Sequence, residues 1–312
     1  MKVGMLFSGL GDQSVGMAKD IYDEYRIMQE YFEDAGQCLD KNFVKICFAS
    51  SVNELADLEN SFISLYLIGV STAAILKEQG IAPAVVAGYE NGEYAALSSV
   101  GSLALFDAVY LLRKLAGLYS EMLQAKAYKT IRIYGLDYDA VKKLCLHCSN
   151  GNQISHIASI EDDTTHSVAG TVVSIDYMEA ELKKDSVRYE SVATMVGLHS
   201  PLMDEILKSL KMYLEKVDFH AVSAPFVAGV TGQALVDGEA VRAAIMQQIH
   251  APLQWKKVID AFEYCDVIII IGPSSWLFEM VSVRYPGKKI FMIAYLKQLE
   301  ECIAYCKGTV VQ

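Results

Sequence analysis

Short runs that are apolar at every position alternate along this chain with longer stretches whose apolar residues recur every three or four positions. Val3–Phe7 and Val267–Ile271 are runs of the first kind, and 84–87 is a third. A strand without a polar face has both faces covered, as in a parallel sheet between helix layers. Each run leads into a glycine-bearing turn: Gly9-Leu10-Gly11, then Gly88 to Gly92, then Gly272-Pro273. Helical patterns follow the turns. One covers 64–79 and is punctuated by Gly80 and Pro83, and another covers 93–100. Strand, turn and helix repeated in this order predict an α/β fold around a parallel sheet.

The texture changes between 126 and 196. Strand candidates at 130–134, 168–174 and 188–192 alternate with helical stretches at 138–146 and 176–184. That βαββαβ-like order suits a small α+β insert. The expected organisation is therefore a core from 1–125 and 197–312 with an insert at 126–196. Glu161-Asp162-Asp163, followed by Thr164-Thr165, reads as a loop of solvated charge.

Composition narrows the class. Of 312 residues, 53% are hydrophobic and only six are proline, which excludes a largely disordered chain. Lys and Arg number 27 against 38 Asp and Glu, a net charge of −11, which argues against a nucleic-acid partner. Uninterrupted apolar runs fall far short of the ~20 residues that span a bilayer, and the N-terminus lacks a signal-peptide core, so a cytoplasmic protein is expected. Seven cysteines include Cys145-Leu-His-Cys148. Without a second pair at finger spacing, these read as buried thiols on a helix rather than a metal or redox centre. No cofactor or metal is expected.

Candidate chemistry sits at Gly88-Tyr89-Glu90-Asn91-Gly92, between a strand and a helix. Glycines two positions either side of a central residue permit the sharp, strained turn of a nucleophile elbow, here with Glu at the centre. Four further segments are distinctive. They are Phe7-Ser8-Gly9-Leu10-Gly11-Asp12-Gln13 with Val15-Gly16-Met17, Leu198-His199-Ser200-Pro201-Leu202-Met203, Pro252-Leu253-Gln254-Trp255, and Ile271-Gly272-Pro273 with Leu277. Together with 87–97, in this order, the chain resembles the malonyl-CoA:acyl-carrier-protein transacylases and related acyltransferase domains of polyketide synthases. The resemblance runs nearly end to end. It implies an α/β-hydrolase-like core with a ferredoxin-like insert.

In that family an elbow Ser takes an acyl group from a CoA thioester and passes it to a phosphopantetheine thiol. A His is the general base, backbone N–H groups form an oxyanion hole, and an Arg grips the malonyl carboxylate. The resemblance puts Glu90 at the Ser position, His199 at the His and Leu115 at the Arg. It puts Leu10 at the Gln of the first turn, Tyr89 at the His before the nucleophile and Ser64-Leu65 at the Gln-Pro pair. Glu161 and Thr165 fall near the family's Asn and Gln. The N–H groups of Leu10 and Asn91 are the implied oxyanion donors, and Gln254 is placed at the pocket by its segment.

Without an alcohol the family's covalent route is closed. Leu115 has no group to pair with a carboxylate, and Arg113, ~200° round the same helix, faces elsewhere. At a helix start and within reach of His199, Glu90 is expected to be ionised beside a protonated His199. Asp12-Gln13 is expected to cap a helix rather than contact a ligand. The leading expectation is a non-catalytic binding or scaffold homologue that engages an acyl carrier protein, an acyl-CoA or an active paralogue, with Lys256-Lys257 and Lys288-Lys289 as candidate basic patches. The alternatives are Glu90 acting as nucleophile or base on acyl thioesters, or residual acyltransferase activity.

Overall fold

A computed structural model describes residues 1–125, 127–192 and 199–308; Leu198 of the His199 segment lies outside them. In chain order its strands are β1 (Val3–Phe7), β2 (Val85–Gly88), β3 (Tyr128–Tyr134), β4 (Ser155–Ile160), β5 (Thr165–Thr171), β6 (Tyr189–Val192), β7 (Phe226–Val227), β8 (Ala234–Leu235), β9 (Val267–Ile271) and β10 (Lys289–Ile293). One sheet has the order β10-β9-β1-β2-β7-β8, and all its pairings are parallel except the edge pair β7–β8. The register aligns Phe7 with both Gly88 and Ile271. Three turns therefore leave the carboxyl edge of the sheet side by side, which is where open α/β sheets bind ligands.

Strand side chains alternate between faces, so the central strands feed two cores. Val3, Met5, Phe7, Ile269 and Ile271 join the core that includes the helix Leu58–Glu78, while Leu6, Ile268 and Ile270 join Trp255, Phe262 and Leu277 on the other side. Leu58–Glu78 is long and apolar enough to cross a membrane, yet 83% of its most apolar window is buried inside the protein. Counting uninterrupted apolar runs overlooks this helix because Ser and Thr are scattered through it.

The second sheet, β4-β5-β3-β6, is wholly antiparallel, and its helices Tyr138–Cys148 and Val172–Lys184 share a small core with Ile131, Ile133 and Val168. Cys145 and Cys148 are free thiols buried there. The insert is stitched to the main sheet's layer by paired backbone bonds: Ile160 N–H to the Leu253 carbonyl at 2.8 Å and Leu253 N–H to the Ala158 carbonyl at 2.9 Å.

Several expected boundaries move. The third apolar run is strand over Val85–Gly88 rather than 84–87. The strand expected at 168–174 ends at Thr171, and Val172-Val173 already open a helix, where tertiary packing overrides their β-branched preference. The expected helix at 64–79 starts at Leu58, because Asp57 accepts from the N–H groups of Glu59 and Asn60 and caps it. The acidic loop is not uniformly solvated. Asp162 and Asp163 are exposed, but Glu161 is 4% exposed and ion-paired to Arg132 at 2.8 Å.

Candidate functional site

β2 turns at Gly88 and re-emerges as the helix Gly92–Ser99. Between them Glu90 has φ 50°, the left-handed conformation that an elbow imposes on its central residue. A Cβ on Gly88 would lie 2.1 Å from the Gly92 carbonyl carbon, and one on Gly92 would lie 2.5 Å from the Ser8 carbonyl oxygen. Only glycine fits either place.

The Glu90 side chain points into the protein, where it is 7% exposed, and its Oε2 has no hydrogen-bond partner among the described residues. Burial pushes its pKa up to about 8, helped by the charge of Asp12 and opposed by Arg132. His199 is 5% exposed and left-handed at φ 56°. Its Nδ1 lies 2.7 Å from the Gln248 carbonyl, an acceptor, so Nδ1 carries the proton and donates it. Burial pulls the His199 pKa down to about 4 against that bond, and Nε2 has no partner among the described residues. The expected ion pair between an ionised Glu90 and a protonated His199 is thus not formed. Desolvation disfavours the charged form of each, and both are neutral at pH 7.

Glu90 and His199 share a cavity of about 10 Å³ with Phe62, Asn91, Tyr94, Leu115, Tyr119 and Gln248. A second void of about 20 Å³ lies on their other side, against Tyr89, Ser159 and Leu253. Each has room for roughly one water molecule and no more. Leu115 forms cavity wall and is 4% exposed. Arg113 is exposed on the outside of its helix, with Nε 3.7 Å from Glu59.

One of the two implied oxyanion donors is not open as expected. The Leu10 N–H is already taken, since it donates to Asn91 Oδ1 at 2.7 Å. A side chain of the elbow itself caps the donor that a substrate oxygen would need. Gln254 lines neither cavity; it precedes the helix Trp255–Asp260, and its N–H donates to the Gly229 carbonyl at 2.7 Å. Asp12 and Gln13 cap no helix among the described residues; they accept from the N–H groups of Gly9 and Gly11 at 3.3 and 2.8 Å and so brace the first turn. Ser64 and Leu65 are buried in Leu58–Glu78. Of the candidate basic patches, Lys256 is bridged to Asp163, Lys288 donates to the Cys265 carbonyl at 2.7 Å, and Lys289 lies over the Phe291 ring.

Gln248, Trp276 and Arg132 carry no local signal in the sequence, whereas Trp255 ends one of its distinctive segments. Gln248 holds both partners, accepting from His199 and donating from Nε2 to the Glu90 carbonyl at 3.1 Å. Trp276 packs on Tyr89 with ring centres 4.8 Å apart, and the Arg132 guanidinium lies 4.7 Å over the Trp276 ring. Trp255 closes on Tyr89 from a further side at 5.1 Å. This stack stands between the elbow and the groove that separates insert from core.

Comparison with known proteins agrees with this fold. The malonyl CoA-acyl carrier protein transacylase of Bacillus subtilis (strain 168) is 25% identical over 284 residues, covering 90% of this chain and 89% of its own. That of Staphylococcus aureus (strain MRSA252) is 27% identical over 305 residues, covering 96% and 97%. The crystal structure of FabD from Acinetobacter baumannii superposes with a TM-score of 0.92 at 24% identity over 98% of both chains. A malonyl-transacylase solved in complex with a type II PKS acyl-carrier protein gives 0.92 at 22% identity over 98% of this chain and all of its own. The family model described as acyl transferase domain matches residues 5–281, running from β1 through the elbow and His199 into the helix after β9, and the chain belongs to that family.

Proposed function

We propose that this chain is a non-catalytic member of its family, a binding or scaffold protein built on an acyltransferase fold. The observation that supports the reading is the closure of the site around Glu90, where the resemblance puts the acyl group. The Glu90 side chain stands there, the remaining space is about 10 Å³, and Asn91 holds the Leu10 N–H. Acyl transfer by the elbow route needs a hydroxyl for His199 to deprotonate, an open oxyanion donor and, for malonate, a cation. Glu90, Asn91 and Leu115 stand at those three places.

Incubating the purified chain with malonyl-CoA and acetyl-CoA and recording its intact mass tests this. No acyl increment is expected. A malonyl increment that can be handed on to a pantetheine thiol would overturn the reading.

One observation favours a second reading, in which Glu90 acts on acyl thioesters. His199 keeps the neutral tautomer of a general base, with Nε2 unpartnered among the described residues in the cavity that Glu90 lines. Release of free CoA from acyl-CoAs at a rate above that of Glu90→Ala would establish it, and equal rates would dispose of it.

A further inference from the structure

Between the insert and the core lies a groove of about 770 Å³ whose floor includes Trp276 and Glu161, on the outer side of the stack that covers the elbow. Carboxylates dominate it. Glu161, Asp162, Asp163 and Glu190 line it from the insert, Asp260 and Glu279 from the core, against three lining cations and Arg132 beneath, which is ion-paired to both Glu161 and Glu190. Lys256 is bridged to Asp163 and Arg284 to Asp260 at 2.8 Å, while Arg188 lies 4.5 Å over the Tyr134 ring. Asp162 and Glu279 have no ion-pair partner among the described residues.

One wall of the groove is the helix Ser275–Arg284, which carries two apolar stripes. Leu277 and Val281 are buried against the sheet. Trp276, Met280 and Val283, spaced i, i+4, i+7, line the groove; Trp276 and Met280 are partly buried against the same core, and Val283 is 77% exposed. A helix apolar on both sides normally has both sides covered.

We propose that this groove docks a basic amphipathic segment of a partner protein. Its apolar face would lie on Trp276, Met280 and Val283, and its Lys or Arg residues would meet Asp162 and Glu279. The assignment rests on reading the chain as a binding protein and names the partner's chemistry. Charge complementarity selects a cationic segment and disfavours an acidic carrier protein, whose carboxylates would face those of the groove. The apolar stripe running out to exposed Val283 selects a side-chain-bearing segment over a small amine, in the manner of helix-in-groove recognition.

The test uses the intact chain and a fluorescent helical peptide of Lys and Leu at amphipathic spacing, with a Glu/Leu counterpart as control. The basic peptide is expected to bind and to protect 161–165 and 275–284 from hydrogen exchange. D162N/E279Q is expected to weaken binding about tenfold, whereas E24Q/D218N, exposed carboxylates outside the groove, changes it less than about twofold. Equal losses from both double variants, protection elsewhere, or equal binding of the acidic peptide would overturn the proposal. So would spermidine binding that D162N/E279Q abolishes and V283S leaves intact. Malonyl mass on the chain would instead sink the non-catalytic reading and leave the peptide result standing.

Discussion

Glu90 keeps its proton because water is excluded, not because a base is paired with it. Between its ordinary 4.5 and about 8, the unfolded chain has released a proton that the folded chain retains, so stability falls as pH rises through that window. Glu93, also buried and pushed up to about 8, acts in the same direction. His199 acts in the opposite direction, from about 4 to 6.5, where only the unfolded chain is protonated. Above pH 6.5 its contribution is complete and the carboxyl effect stands alone. Urea midpoints at pH 6.5 and 8 should therefore show Glu90→Gln losing about 2 kcal/mol less stability than the parent, one proton at about 1.4 kcal/mol per pH unit. Identical pH slopes would mean that Glu90 is ionised in the folded protein. Glu90→Ser alone is expected to take up no malonyl mass, because Asn91 still caps Leu10 and Leu115 still faces the cavity. An adduct on that single variant would show that neither neighbour matters. The sequence displayed these substitutions plainly. It did not display their charge states, and reasoning from a helix N-terminus gave the wrong one, since a partial charge at a helix end is weaker than full desolvation.

Elements were legible where their signals are local. The five-residue strands β1 and β9 read directly from unbroken apolar runs, and the elbow read from two glycines whose added Cβ atoms would strike backbone. Gly88→Ala is accordingly expected to cost more than about 3 kcal/mol, since the atoms 2.1 and 2.2 Å away belong to the turn itself. Gly117, exposed in the helix Leu105–Ala125 with nothing within 4 Å of its would-be Cβ, gives the opposite sign. Gly117→Ala should stabilise by about 0.5–1 kcal/mol. Thermal melts of the two variants check both, and a tolerated Ala at 88 would mean that the elbow can relax. The Thr171–Val172 boundary was illegible because β-branched residues suit a strand locally and a helix only once Ile175, Met178 and Leu182 find the insert's core.

At the scale of the molecule, insert and core are joined by the Arg132–Trp276–Tyr89 stack, and within the insert a buried pair with Glu161 holds Arg132 in place. Burial pushes the Glu161 carboxyl up while Arg132 and the Ser167 hydroxyl, 2.6 Å away, hold it down. Arg132→Ala strands that carboxyl and should cost about 3–5 kcal/mol, with faster hydrogen exchange across 155–171. Arg132→Met with Glu161→Leu should recover most of it, because an apolar pair avoids the desolvation of both ions. A double variant no more stable than the single would place the defect elsewhere.

The sequence by itself determined the family, the α/β architecture and the identity of the side chains at the elbow, because each follows from patterns within a few neighbouring residues. Only the tertiary structure decided that Glu90 and His199 are both neutral, that Gln248, 158 positions from Glu90, holds them, and that Glu161 is buried while its neighbours are not. Burial is produced by segments distant in the chain. The free energy of a charge depends on what surrounds it, so no local pattern could have given the protonation of the site or its closure.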